Sequence, residues 1–292
     1  MNPVSVVIPA YNEESSIGQT ISEIVGTMDG SGIEYEIIVV DDGSTDNTYQ
    51  VIKEIAGRNG KMKIVRHPEN LGYGKAIVDG IKVSTYDIIG ITDADGTYPV
   101  KKFPELLSYM DRYDMVVGAR QGREYWESSV KSFARMFFHW LCEFTVGRKI
   151  ADVNSGFRVF RKDIAVKFAE DLSPAFSFTT TLTLFMFLNH YFVKYLPIDY
   201  YKRMGKSKVA LFRDTLRTAQ LVIQAILYYN PIKLFLLFFF FCLIVSGVFF
   251  GLFVVFKDSM WALASVGAFL SSLILFGMGF LADILRKIRD RI

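Results

Sequence analysis

The chain has 292 residues, 51% of them hydrophobic and 15% aromatic, with 33 Lys and Arg against 30 Asp and Glu for a formal charge of +3. That length allows one or two domains with ample material for a core, and so small a positive surplus gives no ground for a nucleic-acid partner. Two cysteines, Cys142 and Cys242, and three scattered histidines, His67, His139 and His190, exclude a disulfide framework and a zinc site and make a reducing compartment the default.

In chain order, residues 4–8 (VSVVI) read as a strand ended by Pro9. Ile17, Ile21, Ile24 and Val25 then recur at helical spacing over about residues 15–28. YEIIVVDDGS is a fully apolar strand that stops at Asp41 and Asp42; residues 46–56 read as helix and MKIVRH as a strand. NLGYGKAIVDGIKVS is a glycine turn feeding a helix. It is read either as a phosphate cradle with Lys75 as counter-charge or as a plain helix entry. DIIGITDADG and DMVVGAR complete five strands. Strands apolar on both faces, alternating with helices, predict a mostly parallel, Rossmann-like α/β sheet covered by helices. In such sheets ligands bind beyond the carboxyl ends of the strands. The polar residues at these ends are Pro9-Ala10-Tyr11, Asp41-Asp42, Asp93-Ala94-Asp95 and Gly118-Ala119-Arg120.

Beyond Arg120 the pattern changes. SSVKSFARMFFHWLCEFTVG, with Lys131 and Arg135, is amphipathic, and is read either as a core helix or as a helix lying on lipid headgroups. FSFTTTLTLFMFLNHYF lacks charge but is short and Thr-rich, and is read as a buried helix. Residues 209–230 are expected to form an amphipathic interfacial helix. Two apolar runs follow, 232–256 and 260–282, the first with Lys233 near its start and the second with no charge. Each exceeds the ~20 residues that cross a bilayer core, so a two-helix transmembrane hairpin is expected over 231–292, after a globular domain over 1–208. The tail RKIRDRI and the segment KRMGKSK are basic. Because Lys and Arg favour the cytoplasmic side, and no signal peptide precedes MNPVSVVIPAYNEE, the globular domain is expected in the cytoplasm.

The stretch GITDADGTYP sets Asp93 and Asp95 one residue apart at the end of a buried strand. Like charges that close repel unless something positive lies between them. A hard divalent cation with oxygen ligands would do this, and would also neutralise a diphosphate leaving group.

VVIPAYNEE, VVDDGSTDNT, NLGYGKA and DADGTYP occur in the order seen in family 2 glycosyltransferases of the GT-A fold. VVGAR, DVNSGFRVFRKD and YYKRMGKSK further resemble the branch containing dolichol-phosphate mannose synthases and bacterial polyprenyl-phosphate hexose transferases. The resemblance spans roughly residues 3–210. It implies inverting transfer of a hexose from a nucleotide diphosphate sugar, of the GDP-mannose or UDP-glucose type, to dolichyl or undecaprenyl phosphate at the cytoplasmic membrane face.

By the same resemblance, Pro9, Tyr11 and Glu13 line the base and ribose pocket, with Val40 and Asp42 opposite and Ala94 between the two metal-site acids. Asp95 is the direct ligand of Mg²⁺ or Mn²⁺ and Asp93 lies nearer the ribose and metal. Thr97 stands where the family often carries a glutamine that helps hold the metal. Arg120 and Arg135 receive the acceptor phosphate, with Ser155 and Arg158 nearby. Lys202, Arg203 and Lys208 surround the GKSK motif on the donor side, where the family's arginine position is held by Lys202 with Arg203 next to it. Asp152 is read as structural or as partner to a nearby arginine. No histidine is placed as a general base, and a phosphate acceptor needs none, since it is already an anion. The competing readings are a family 2 transferase acting on another membrane lipid such as diacylglycerol, and an inactive membrane scaffold of the same fold.

Overall fold

A computed structural model describes residues 2–121, 129–171, 178–201, 220, 223–224 and 226–289. Lys202, Arg203, Lys208 and most of the expected amphipathic helix therefore lie outside the described residues. The chain divides into two compact units, Met1–Thr218 and Ala219–Ile292.

In the first unit β1 (Val4–Ala10), β2 (Tyr35–Asp41), β3 (Met62–Arg66), β4 (Ile88–Ile91), β5 (Met115–Gln121), β6 (Arg158–Arg161) and β7 (Val193–Asp199) form one sheet. Their spatial order is β3-β2-β1-β4-β6-β5-β7. Every strand runs the same way except β6, which pairs antiparallel with both β4 and β5. The mostly parallel sheet expected from the sequence is thus present. β6 and β7 are additional to the five strands that the apolar runs picked out. Four residues of RVFR carry two arginines, too polar a run to read as a strand until its place between β4 and β5 is seen. β7 holds Pro197, which an edge strand tolerates.

The first strand does not stop at Pro9 but continues to Ala10, in register with β2 through Ala10–Asp41. A proline inside a central strand is accommodated because parallel strands bond to either neighbour by turns. Val4 N–H bonds to Glu34 O on the β2 side and Val7 O accepts Thr92 N–H on the β4 side. Pro9 thus directs its missing N–H towards β4, where pairing has already ended at Val7–Ile91.

Helices cover both faces. α1 (Ile17–Ser31), α2 (Thr48–Ala56) and α4 (Phe103–Leu107), the last entered through a 3₁₀ turn, seal the face formed by Val4, Val6, Ile8, Ile37 and Val39. α3 (Tyr73–Val83) crosses the other face, where Gly80 lies against Val7 and Val40, and packs with α6 (Lys162–Asp171) and α7 (Phe178–Leu188). α7 is buried from Phe178 to Phe187, as its charge-free sequence requires. α5 (Ser129–Val146) packs on α7, with Met136 and Trp140 exposed. Arg135 lies on α5; its side chain is outside the described residues.

In the second unit α8 (Pro231–Phe256) and α9 (Ser259–Arg289) form an antiparallel hairpin turned at Lys257, which adopts a left-handed φ of 55°. Small residues bring the two backbones together. Ser246 and Ser265 each donate their hydroxyl to the other's carbonyl at 2.9 Å, and Gly279 receives Phe235. Both helices are long and apolar enough to cross a membrane, with mean hydropathies of 2.7 and 2.0. α8 is about 39 Å long at 1.5 Å per residue, against a hydrocarbon core of ~30 Å. Their outward faces carry Phe240, Phe241, Ile244, Val255, Leu263 and Ile274, all exposed.

A Cβ on Gly80 would fall 2.4 Å from Val7 Cγ1 and 3.1 Å from Val40 Cγ2. Gly80→Val is therefore expected to overpack the α3–sheet contact and cost about 1–3 kcal/mol, read as a lowered melting temperature of the detergent-solubilised chain.

Candidate active site at the carboxyl edge of the sheet

The sheet delivers four carboxylates to one edge: Asp41 at the end of β2 and Asp42 just after it, and Asp93 and Asp95 after β4, with β1 between the two strands. Each has its own compensation. Asp41, wholly buried, accepts Ser44 N–H at 3.1 Å and faces Arg66 Nε at 3.3 Å. Asp42, 3% exposed, accepts Leu71 N–H at 2.9 Å and Gly72 N–H at 2.8 Å, and lies 2.7 Å from His67 Nδ1. Asp93 accepts the Tyr73 hydroxyl at 2.9 Å. Asp95 accepts both the amide and the hydroxyl of Thr97, at 3.2 and 2.7 Å.

The loop after β1 is laced to the loop after β2. Asn12, at a left-handed φ of 54°, accepts Thr45 N–H at 2.7 Å and donates its own amide to Ser44 Oγ at 3.0 Å. Glu13 N–H bonds to Thr48 Oγ1 at 2.7 Å, and the Glu13 carboxylate, 7% exposed, accepts the Ser16 hydroxyl at 3.2 Å. Tyr11 stands half-buried at the rim. α1 reaches across to the second acidic turn, where Thr20 Oγ1 donates to Ala94 O at 3.2 Å. Pro9 and Val40 pair in register on β1 and β2, and the Val40 side chain is core packing against α3.

The segment 152–157, leading into the reversed strand β6, joins the acidic turn to the arginine at the end of β5. Asp152 takes Arg120 in a two-pronged pair, Nε to Oδ2 at 2.7 Å and NH2 to Oδ1 at 2.9 Å. Burial pushes the Asp152 carboxyl up, but the Arg120 hydrogen bonds and charge outweigh it and hold it below the ordinary carboxylate value. Asp152 is thus the arginine's partner. Ser155, wholly buried, donates its hydroxyl to Gly118 O at 2.6 Å. Gly156 sits against Asp93: a Cβ there would fall 2.6 Å from Asp93 Oδ1. The Gly156 amide donates to Tyr98 Oη at 2.8 Å. The Tyr98 ring stacks on Phe157 and meets Tyr200 edge-on, and Tyr200 in turn lies under the Arg120 guanidinium at 5.4 Å. Arg158, wholly buried, spends its donors on Ser155 O, Thr179 O and Thr183 Oγ1.

Of the residues singled out in the sequence, the structure therefore gathers Asp42, Asp93, Ala94, Asp95, Thr97, Arg120, Ser155 and Asp152 in one connected network at the carboxyl edge. Two details depart from the expectation. Lys75 is held on Asp79 at 2.6 Å, one helical turn away, so its charge is spent within α3. Ser155 and Arg158 are interior props of the 152–157 segment, not surface groups. Tyr73, Tyr98, His67, Gly156 and Tyr200 were not picked out individually. Tyr73, Tyr98, Gly156 and Tyr200 lie inside the family motifs, but nothing local distinguishes a tyrosine that reaches a carboxylate twenty positions along the chain. Desolvation and the neighbouring Asp93 charge both push the Tyr73 phenol upward, so it stays a hydrogen-bond donor.

The DAD turn fits a divalent cation. Among the described residues no three His, Cys, Asp or Glu side chains gather as a closed metal cage, but Mg²⁺ characteristically takes one or two carboxylates and completes its shell with waters and substrate phosphates. The absent Cβ of Gly156 lets the Asp93 carboxylate lie directly against the 152–157 backbone.

Residues 5–168 match the sequence model of Glycosyl transferase family 2. The chain belongs to glycosyl transferase family 2. Among curated family 2 relatives, it is 32% identical over 163 residues to undecaprenyl-phosphate 4-deoxy-4-formamido-L-arabinose transferase of Edwardsiella ictaluri, covering 55% of this chain and 50% of that protein. It is likewise 32% identical over 174 residues to a dolichyl-phosphate beta-glucosyltransferase of Trichomonas vaginalis, covering 54% and 52%. The chain thus spans about half the length of these curated relatives. In fold it is similar to glucosyl-3-phosphoglycerate synthase of Mycobacterium tuberculosis, crystallised with Mn²⁺, UDP and glucosyl-3-phosphoglycerate. The TM-score is 0.60 at 21% identity, over 77% of this chain and 80% of that one. The same synthase crystallised with Mg²⁺ and UDP gives an equal TM-score of 0.60. The family and the GT-A fold expected from the motifs are those found.

Asp152→Asn should strip Arg120 of its buried counter-charge and cost about 3 kcal/mol. Because the folded carboxyl is depressed, this contribution is fully present above the unfolded value of roughly 3.9. It is lost as pH falls through the folded value. Thermal melts of both proteins between neutral and acid pH should show the gap constant near neutrality and closing only in acid.

Proposed function

We propose that this family 2 protein is an inverting, divalent-metal-dependent transferase that moves a hexose from a nucleotide diphosphate sugar to a polyprenyl phosphate. The observation that carries the reading is the 152–157 segment, which touches the acidic turn through Gly156 and Asp93 and the guanidinium through Asp152 and Arg120. One short loop therefore sets a site for a metal-bound diphosphate beside a fixed cation for a second anion.

The chemistry asks for this arrangement. Donor and acceptor are both anions, so the work is positioning them and suppressing their repulsion. Asp93 and Asp95 would hold the cation, their carboxylates oriented by Tyr73 and Thr97. With Mg²⁺ or Mn²⁺ bound, the site gains charge neutralisation on the diphosphate and Lewis-acid assistance to its departure. In this reading Pro9, Tyr11, Glu13 and Asp42 surround the nucleoside. Arg120, with Arg135 on α5 and Ser155 behind, faces the acceptor phosphate. A guanidinium suits that role because its fork matches phosphate oxygens and stays charged. Asp152 keeps the fork in one orientation while sharing it. Lys202, Arg203 and Lys208 are assigned to the donor side from their motif. α8 and α9 anchor the chain as two spans of the bilayer in which a polyprenyl acceptor resides. The basic tail RKIRDRI and the basic segment KRMGKSK ahead of the first span support a catalytic unit on the cytoplasmic side. The names of the two curated relatives, transferases of undecaprenyl and dolichyl phosphates, support this acceptor class, and the bound Mn²⁺ or Mg²⁺ and UDP of the structural neighbours support the metal and donor class.

Detergent-purified protein given a panel of nucleotide sugars, polyprenyl phosphate and Mg²⁺ or Mn²⁺ should yield a lipid-phosphate-hexose by mass spectrometry. Asp95→Asn or EDTA should abolish it, and Gly156→Ala, which drives a methyl into Asp93, should lower turnover at least ~10-fold. Nucleotide-sugar binding without this product would point to another acceptor lipid. Absence of both binding and product with every donor would overturn the enzyme reading.

A further inference from the structure

His67 follows β3 and is 7% exposed, yet the catalytic reading gives it no task. Its ring is held between two carboxylates. Nδ1 lies 2.7 Å from Asp42 Oδ1 and Nε2 lies 3.2 Å from Asp79 Oδ2 on α3. An ionised carboxylate only accepts hydrogen bonds, so both ring nitrogens can be satisfied only if both carry protons. The other cations nearby are paired with the neighbouring acids. Lys75 and Lys82 are drawn onto Asp79, at 2.6 and 3.3 Å, and Arg66 is drawn towards Asp41. Among the described residues no Lys or Arg is paired with Asp42.

The consequence falls on Asp42. Its Oδ1 takes the imidazole and Leu71 N–H, and its Oδ2 takes Gly72 N–H. With two acceptor sites on each oxygen, three of the four are filled from one side and one on Oδ2 is left. We infer that His67 is a positioning residue of the donor site: a doubly protonated bridge between Asp42 and α3 that fixes the Asp42 carboxylate, its charge and its one remaining acceptor site, for a single N–H or O–H donor of the nucleoside. This inference rests on the proposed placement of Asp42 in the nucleoside pocket. It adds that affinity for the nucleotide is set in part by a proton held one residue away from it. Loss of that proton turns one ring nitrogen into an acceptor facing a carboxylate, and the bridge opens.

The test is calorimetric binding of UDP and of GDP, each with Mg²⁺, to the full detergent-solubilised chain across about pH 6 to 8.5, the range in which histidine charge changes. Wild type is compared with His67→Gln, Asp79→Asn, Asp42→Asn and Asp95→Asn, with melting temperatures recorded for each. Comparison among variants removes the titration of the nucleotide phosphate itself. His67→Gln should bind about tenfold more weakly than wild type at the acid end, the worth of one charge-assisted hydrogen bond, and the two should converge at the alkaline end. Asp79→Asn removes the second partner and leaves Asp42 in place. It should bind normally at the acid end and lose affinity at lower pH than wild type, because one carboxylate fewer stabilises the imidazolium. Equal affinity and equal pH dependence in wild type and His67→Gln would overturn the inference. Should His67→Gln fail to fold, an unshifted pH dependence in Asp79→Asn would overturn it instead. If Asp42→Asn binds like wild type while Asp95→Asn does not, the nucleoside placement of Asp42 itself falls. That result is distinct from one in which Asp42→Asn weakens binding and His67→Gln does not.

Discussion

Four carboxylates crowded at one end of a parallel sheet would repel one another, and the rest of the first unit is arranged around that repulsion. Each acid has its own neighbours: the Ser44 amide and the Arg66 charge for Asp41, His67 and two backbone amides for Asp42, the Tyr73 phenol for Asp93, and Thr97 for Asp95. These groups come from the loop after β2, from the end of β3, from the loop into α3 and its first residue, and from the acidic turn itself. The effect is to hold the carboxylates in fixed directions at the edge where a cation would bind. The loops at this edge are therefore held by the same hydrogen bonds that prepare the site.

The second organising element is the reversed strand. β6 enters the sheet antiparallel between β4 and β5, so the segment before it, 152–157, arrives at the carboxyl edge from the opposite direction to every other loop. That is how a single hexapeptide can meet both the turn after β4 and the end of β5. Its conformation is pinned from below by Arg158, a wholly buried guanidinium whose donors go to carbonyls and a threonine hydroxyl. Burial lowers the Arg158 pKa from its ordinary value, and satisfying its donors offsets part of the cost of hiding the charge. α7 supplies two of the acceptors, the Thr179 carbonyl and the Thr183 hydroxyl.

The second unit has the length and surface of two candidate membrane spans. α8 and α9 bury little beyond their mutual contact, where Ser246, Ser265, Ser272 and Gly279 let the backbones approach. The reciprocal serine bonds satisfy hydroxyls that have no water to turn to in an apolar medium. Their remaining faces are Phe, Leu, Ile and Val, a surface that water would drive to aggregate and a bilayer would accept.

Much of this was legible in the linear chain. The apolar runs ending in Asp42, Asp93 and Arg120 mark the sheet and its functional edge, because a strand buried on both faces leaves its chemistry to its ends. The two long charge-poor runs mark the hairpin helices, because helix length and hydropathy are local properties. The motifs, taken in order, carry the family. The pairings were not legible. Which arginine Asp152 meets, that Ser155 and Arg158 face inward, that β6 runs backwards, and that His67 is caught between Asp42 and Asp79 all depend on which strands become neighbours. Neighbourhood in a sheet is decided by long-range packing, since residues 25 to 32 positions apart meet only after the crossovers have closed. The sequence by itself determined which chemical groups the site would contain; the tertiary structure alone decided which charges those groups would spend on one another and which they would keep for a ligand.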